Sequence, residues 1–425
     1  MASDLPANRI CLTFRALGSR NYRLFFLGQG ISMVGTWMQR IALGWLVYRL
    51  TDSAALLGIV GFASQIPAFI LAPFAGVPAD RVHKPRLLLI TQAAAMAQAL
   101  ILAALVLLDC ITVPQIIVLS VLLGCINAFD IPTRQALMVH TVERREDLGN
   151  AIALNSAMFN GARMIGPAIA GVLVALVGEG WCFFINGISY LAVLAALLSM
   201  RLEVRANSNH VKMAHGLREG FNYVRQHAPI RSVLLLIALV SFAGMPYGTL
   251  MPLFARDILG GNAQTLGYLM GAAGVGAIVG AVILASRSNS NRLESWIAAA
   301  PVGFGLAVIA FGMSSTLWLS LALMPLVGCA MMIQIAAGNT MVQCLVDDDK
   351  RGRVMSFYTM AFMGSMPLGS LLAGTAAHHI GGPWTLAAGG MICILGAGAF
   401  ALHLPRFRAD LGPAGCTGNV EGADA

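Results

Sequence analysis

The chain has 425 residues, of which 58% are hydrophobic and only 11% are charged. Soluble domains are about 45–50% apolar and about 25% charged, so this composition exceeds what a soluble core can bury. Stretches of roughly 20 apolar residues have the length that one bilayer crossing requires. The composition therefore predicts an all-α integral membrane protein, and it excludes a soluble enzyme, a disordered chain and a disulfide scaffold.

Twelve apolar runs, bounded by charged residues, Gly or Pro, follow one another along the chain. They cover residues 24–48, 54–78, 85–108, 113–133, 148–177, 180–200, 232–256, 264–286, 293–313, 316–338, 354–380 and 384–404. The longest polar interruption separates the sixth run from the seventh. We therefore predict five segments: a cytoplasmic N-terminal segment (1–23), a six-helix half (24–200), a cytoplasmic linker (201–231), a second six-helix half (232–404) and a cytoplasmic tail (405–425).

The basic residues are distributed unevenly between the two sides of these runs. All but four of the 27 Lys and Arg fall in segments that are cytoplasmic if the N-terminus is inside. By the positive-inside rule this asymmetry predicts that both termini are cytoplasmic. The four exceptions are Arg40 and Arg163 within runs, and Arg49 and Arg256 at outer ends. Topology thus accounts for the net charge of +8, and no nucleic-acid partner is expected.

The two halves of the chain resemble each other. A shift of 203 residues places Gly166 on Gly369 and Gly178 on Gly381, and it superposes the fifth run on the eleventh. Repeated halves with a site near the bilayer midplane are typical of secondary transporters.

Ionisable side chains within a bilayer cost roughly 2.5–3.5 kcal/mol each on insertion scales, so they are functional candidates. Arg163 lies near the middle of the fifth run, where an anionic or catecholate-like substrate would suit it, and Arg40 lies in the outer half of the first. Alternatively, Arg163 is a structural residue satisfied by helix carbonyls, and Arg40 extends toward the outer interface. Further substrate-binding candidates, each of which could instead form an interhelical hydrogen bond, are Gln39, Asn155, Tyr247 and Gln334.

The motifs of hydrolytic, metal-dependent and nucleotide-dependent enzymes are missing from the sequence. Its eight cysteines form no C-x-x-C pair, and no G-x-x-x-x-G-K-[ST] loop occurs. We therefore expect no enzymatic activity, no metal and no cofactor. An ion gradient, the substrate's own gradient or a partner ATPase must then supply the energy.

Three segments carry a family resemblance. Residues 76–86 read G-V-P-A-D-R-V-H-K-P-R, which resembles the loop motif G-x-x-x-D-R-x-G-[RK]-[RK] of the major facilitator superfamily, with His83 in place of its second Gly. Residues 130–135 (D-I-P-T-R-Q) and 160–167 (N-G-A-R-M-I-G-P) are similar to the exporter branch that includes the enterobactin exporter and macrolide-efflux proteins. The resemblance covers about residues 15–405.

The resemblance implies roles for the loop and for two helix-bending segments. A carboxylate such as Asp80 on a cytoplasmic turn can reach the positive N-terminus of a neighbouring helix and hold one conformation. The alternative is an ordinary positive-inside loop. The residues assigned to this latch are Gly76, Asp80, Arg81, Lys84, Arg86, Asp130 and Arg134. The residues predicted to break or soften helices, unless they serve only close packing, are Gly166, Pro167, Pro367 and Gly369.

The resemblance implies a major facilitator fold of twelve transmembrane helices in the bacterial cytoplasmic (inner) membrane. It predicts an exporter of a small amphipathic molecule, siderophore or drug-like, working by alternating access with proton antiport. The expected partners are this small-molecule substrate, protons and the lipid bilayer, and the protein is expected to be a monomer. The alternatives are an importer or lipid flippase of the same fold, or a membrane sensor or scaffold that transports nothing.

Overall fold

The computed structural model describes residues 14–81, 83–200, 213–286, 293–347 and 350–411, and these are almost entirely helical. The chain forms two compact units. The first comprises Met1–Leu46 and Ala63–Asn209, and the second comprises Val47–Phe62 and His210–Ala425. The all-α membrane architecture predicted from composition is confirmed.

In the described part of the chain, six long helices build the first unit, and residues 47–51 of the first helix and 54–62 of the second belong to the second unit. They are α1 (Arg20–Thr51), α2 (Ala54–Arg81), α3 (Lys84–Leu107), α4 (Val113–Thr141), α5 (Leu148–Val177) and α6 (Glu179–Ser199). Pro85 and Pro114 lie in the first turns of α3 and α4, where a missing backbone N–H leaves no helical hydrogen bond unmade. The Gln115 side chain caps α4 by accepting a hydrogen bond from the Thr112 N–H at 2.8 Å.

Among the residues that the structure describes, the second unit has eight further helices and one π-helical turn. They are α7 (Met213–Gln226), α8 (Ala228–Ala243), α9 (Tyr247–Leu253), the π turn (Phe254–Ile258), α10 (Ala263–Ala285), α11 (Leu293–Gly312), α12 (Leu317–Leu345), α13 (Arg351–Ile380) and α14 (Gly382–Leu411).

The helix bounds match the repeat found in the sequence. Helices α5 and α13 have 30 residues each, and both ends of α13 lie 203 positions after the ends of α5. Each helix is followed by a glycine with positive φ, 90° at Gly178 and 84° at Gly381. Residues with a Cβ rarely adopt this conformation, so both glycines serve the same purpose of turning the chain into the next helix.

Eleven helical segments of the described chain are long and apolar enough to cross a membrane. Helix α1 is not among them, although its 32 residues exceed the length of a crossing. Gln29, Gln39 and Arg40 make it more polar than the others. Twelve crossings and cytoplasmic termini therefore stay predictions.

Two segments differ from what the sequence analysis described. The predicted linker contains α7, which packs on the second unit through an Arg353–Glu219 ion pair at 2.7 Å and a Phe221–Phe357 ring contact. The predicted run 232–256 is interrupted, because α8 ends at Ala243 and α9 begins after Pro246.

Two glycines spaced four residues apart, Gly276 and Gly280, allow helix α10 to approach α12 closely. A Cβ at Gly280 would lie 2.5 Å from the Cys329 carbonyl oxygen, and one at Gly276 would collide with the Pro325 carbonyl. Backbones this close are typical of membrane helix pairs, where van der Waals contact drives association.

The tip of the α1–α2 hairpin, residues 47–62, is held by polar contacts within the second unit. Arg256 donates to the Asp52 carboxylate at 2.5 Å, and the Tyr48 hydroxyl donates to Asp257. A Cβ at Gly58 would lie 2.6 Å from the Ser370 carbonyl oxygen. Arg256, one of the four exceptions to the positive-inside pattern, therefore has an ion-pair partner.

Candidate functional site

The two arginines that were predicted within membrane spans both lie beside the ring of one tryptophan in the first unit. The guanidinium carbons of Arg40 and Arg163 lie 5.4 and 5.9 Å from the centroid of the Trp37 ring. The Phe159 ring meets Trp37 edge-on at 5.7 Å. Arg40 is exposed on the unit, Arg163 and Trp37 are half-buried, and Phe159 is 43% exposed. We call Trp37, Arg40, Phe159 and Arg163 the two-arginine patch.

Close packing of α1 on α5 places the residues of this patch together. A Cβ at Gly166 would lie 2.6 Å from the Trp37 Cβ and 3.0 Å from the Val34 carbonyl oxygen. Arg163 precedes Gly166 by one turn, and Arg40 follows Trp37 by nearly one turn, so each guanidinium reaches the same indole. Sequence reasoning named both arginines but missed Trp37 and Phe159, because their pairing depends on how the two helices pack.

Gln39, predicted to bind substrate, lies in a buried amide network instead of on the exposed surface. It is 4% exposed, it donates to the Gln98 side-chain oxygen at 3.2 Å, and it accepts from Asn186 at 2.7 Å. The network joins α1, α3 and α6, and Gly35 leaves room for the Asn186 side chain. Polar residues in apolar runs were the signal that could have identified Gln98 and Asn186.

The other predicted substrate-binding residues are not brought to the patch. Asn155 is half-buried in the first unit. Tyr247 and Gln334, only 4% and 2% exposed, lie in the second. The Gln334 amide makes no hydrogen bond to the described residues. It lines a cavity of about 10 Å³ with Ser241 and Met245, which is space for about one water. Their role in substrate binding stays a prediction.

Asp130 belongs to a buried network of polar side chains that joins α3 to α4 and also includes one residue of α1. Its carboxylate accepts hydrogen bonds from the Thr91 hydroxyl at 2.9 Å and the Gln92 amide at 2.6 Å. The predicted pairing along the helix is present, with the Arg134 Nε 3.6 Å from the carboxylate. Arg134 also donates to the Gln29 side-chain oxygen at 3.1 Å. Asp130 and Arg134 thus connect three helices of one unit.

For the loop part of the predicted latch, residues 76–81, the structure describes the backbone but not the side chains. The backbone of residues 76–81 forms the last turns of α2, so Asp80 lies on a helix end and not on a tight turn. The surroundings of Gly76, Asp80 and Arg81 are beyond what the structure describes. Lys84 and Arg86 lie in the first turn of α3. The latch stays a prediction.

The predicted helix breaks do not occur at the Gly-Pro segments. Helices α5 and α13 continue through Pro167 and Pro367, so neither proline ends its helix, and softening there stays a prediction. Gly166 packs against α1, and a Cβ at Gly369 would collide with the Phe242 carbonyl. The interruption lies instead at Gly244–Pro246, where proline lacks the N–H that helix continuation requires.

The residues that the structure describes contain no cluster of three His, Cys, Asp or Glu side chains that could hold a metal ion. The cysteines in the same part of the chain are free.

Comparison with known proteins shows which family has this architecture. The family described as transmembrane secretion effector, a major facilitator family, matches residues 12–416. The chain belongs to this family. It is a major facilitator transporter, and it is a multi-pass protein of the bacterial cytoplasmic (inner) membrane.

Several transporters are similar to the chain over most of its length. It is 27% identical to the staphyloferrin A transporter of Staphylococcus aureus, covering 84% of this chain and 90% of that protein. It is 27% identical to the multidrug efflux pump Tap of Mycolicibacterium fortuitum, covering 90% and 93%. It is 21% identical to macrolide efflux protein A of Streptococcus pyogenes, covering 88% and 95%.

Solved structures show the same fold. The nucleoside transporter NupG superposes with a TM-score of 0.66 at 13% identity, covering 92% of this chain and 99% of that one. An inward-facing, occupied bacterial homologue of the human lysosomal transporter Spinster gives a TM-score of 0.66 at 15% identity, covering 96% and 99%.

Proposed function

We propose that this transporter is a secondary active exporter, which moves a small amphipathic molecule, siderophore or drug-like, out of the cytoplasm by alternating access with proton antiport. The observation that carries the proposal is the two-arginine patch. Guanidiniums in membrane helices are costly against hydrocarbon, so a partly exposed pair beside two aromatic rings belongs on a wet surface. Rings for an apolar group and cations for a polar one suit an amphipathic substrate.

The outward direction is supported by the relatives. Two of the three similar transporters are named for efflux, one of several drugs and one of macrolides, and the third is named for a staphyloferrin. The likeness extends over more than four-fifths of each chain, so it includes both halves of the fold.

Proton coupling is assigned to Asp130 or to the substrate's own ionisable groups. Asp130 is buried near the cytoplasmic end of α4 and is held by Thr91, Gln92 and Arg134. A carboxylate in such a network changes its hydrogen bonds when it takes up a proton, and that change can alter how three helices pack. The predicted latch, with Asp80 at the end of α2, would hold one of the alternating conformations.

Export is tested in inverted membrane vesicles, where outward pumping appears as accumulation in the lumen. Vesicles with an acidic lumen are given a mixture of labelled compounds: a macrolide, a carboxylate siderophore and a catecholate siderophore. We expect at least one compound to accumulate, and accumulation to collapse with a protonophore. Vesicles from cells that lack the protein are the control. Accumulation only in right-side-out vesicles would show an importer, and no flux of any compound in either orientation would contradict transport of this class.

A further inference from the structure

The two-arginine patch concentrates positive charge on a surface with a fixed aromatic centre. Arginine is charged at every physiological pH. The guanidinium carbons of Arg40 and Arg163 both lie within 6 Å of the centroid of the same Trp37 ring. Helices α1 and α5, which supply both residues, contain no Asp or Glu along residues 20–51 and 148–177. Two like charges beside one ring repel each other, and an anionic ligand that contacts both guanidiniums reduces this repulsion.

The spacing of the two guanidiniums limits the shape of that ligand. Since their carbons lie 5.4 and 5.9 Å from one ring centroid, they are at most 11.3 Å apart. Each guanidinium presents a planar fork that binds one carboxylate through two parallel hydrogen bonds. A ligand whose two carboxylates match the separation of the guanidiniums, within this upper limit, can therefore contact both arginines at once.

Two features hold this arrangement in place before any ligand arrives. Gly166 brings α5 against the backbone of α1 at Val34 and Trp37. Gln39, next to Arg40, is fixed by its hydrogen bonds to Gln98 and Asn186. A preformed site loses less conformational entropy on binding than a flexible one.

We propose that the two-arginine patch is a binding site for dianions: molecules with two carboxylate-like groups, one for each guanidinium, and an apolar part that packs on Trp37. This inference rests on the proposed function, since it names the charge of the preferred substrate. It also gives Arg40 a role equal to that of Arg163.

The first test uses wild-type protein, purified and reconstituted in nanodiscs. Isothermal titration calorimetry measures the affinity of straight-chain dicarboxylates, from glutarate to azelate, and of their monomethyl esters. We expect the best diacid to bind at least about tenfold more tightly than its own monoester, because the second charge gains a charge-assisted contact. Equal affinities for diacids and monoesters would overturn the proposal without involving any variant.

The second test assigns the two contacts to residues. Arg40→Gln and Arg163→Gln should each weaken diacid binding about tenfold and remove most of the preference over the monoester. The Lys variants, which keep the charge but lose the planar fork, should retain part of that preference. Arg49→Gln is the matched control, since it removes one charge from the outer end of the same helix and should leave the preference unchanged. A full preference in either Gln variant would overturn the two-point site.

The vesicle assay separates failure of this inference from failure of the proposed function. If the protein exports neutral and singly charged compounds as readily as dianions, the preference for dianions is overturned and export stands. If no compound is exported while diacids bind as expected, export is contradicted and the binding site stands on calorimetry.

Discussion

Replacing Asp130 by alanine is expected to destabilise the first unit by about 2–4 kcal/mol. The largest contribution comes from Gln92, whose buried amide loses its acceptor at 2.6 Å, at a cost of about 1–3 kcal/mol. Thr91 loses less, because its hydroxyl also donates to the Leu88 carbonyl at 3.0 Å. Arg134 loses its carboxylate partner, but its side chain is 24% exposed, so the loss of this ion pair adds about 1 kcal/mol.

Asp130→Asn separates the charge of this residue from its shape. The remaining side-chain oxygen can still accept from Thr91 and Gln92, so only the pairing with Arg134 is lost, at about 1 kcal/mol. Unfolding of the purified variants in SDS mixed micelles, followed by circular dichroism, measures both changes relative to wild type. The reasoning would be refuted if the alanine variant were as stable as wild type, or if both variants were destabilised equally.

The same pair of variants tests proton coupling. If Asp130 carries the proton, Asp130→Asn should be folded but should no longer accumulate substrate in response to an acidic vesicle lumen. Accumulation that still collapses with a protonophore yet survives Asp130→Asn would exclude this residue and favour protonation of the substrate.

Three further predictions concern packing, the latch and topology. Gly276→Ala should destabilise the second unit by about 1–3 kcal/mol in the same unfolding assay, because the new Cβ collides with the Pro325 carbonyl; Gly398→Ala, in open space on a helix, should instead stabilise by about 0.5–1 kcal/mol. Asp80→Asn should slow vesicle transport strongly while the abundance of the protein stays unchanged. A wild-type transport rate in this variant would show that the loop serves only membrane orientation and not transport. Single cysteines placed in residues 201–231 should resist an impermeant maleimide in intact cells, and external labelling there would contradict the predicted topology.

Much of the fold was predictable from local sequence. Apolar runs of one-bilayer length have few stable alternatives to helices, because backbone groups in lipid must be hydrogen-bonded within their own segment. The shift of 203 residues anticipated that α5 and α13 would share their length and their terminal glycines. Two local signals were nevertheless missed: apolar residues at 213, 217, 221 and 224 mark the amphipathic α7, and Gly244 with Pro246 marks the interrupted helix.

The candidate site was predictable only in part. Composition and charge identified Arg40 and Arg163 as unusual, since any arginine in a membrane helix is costly wherever it points. The position of Gln39 in α1 does not show whether its side chain binds substrate or forms hydrogen bonds with a neighbouring helix. Its partners Gln98 and Asn186 lie 59 and 147 residues away.

By itself the sequence determined the membrane environment, the helical segments and the presence of two related halves, because these depend on residue type and short-range spacing. Tertiary structure alone decided that both arginines lie beside Trp37 and that Asp130 accepts hydrogen bonds from Thr91 and Gln92. Such contacts depend on the rotation and separation of packed helices. Small residues such as Gly166 set these quantities, and their effect on distant side chains appears only when the helices are assembled.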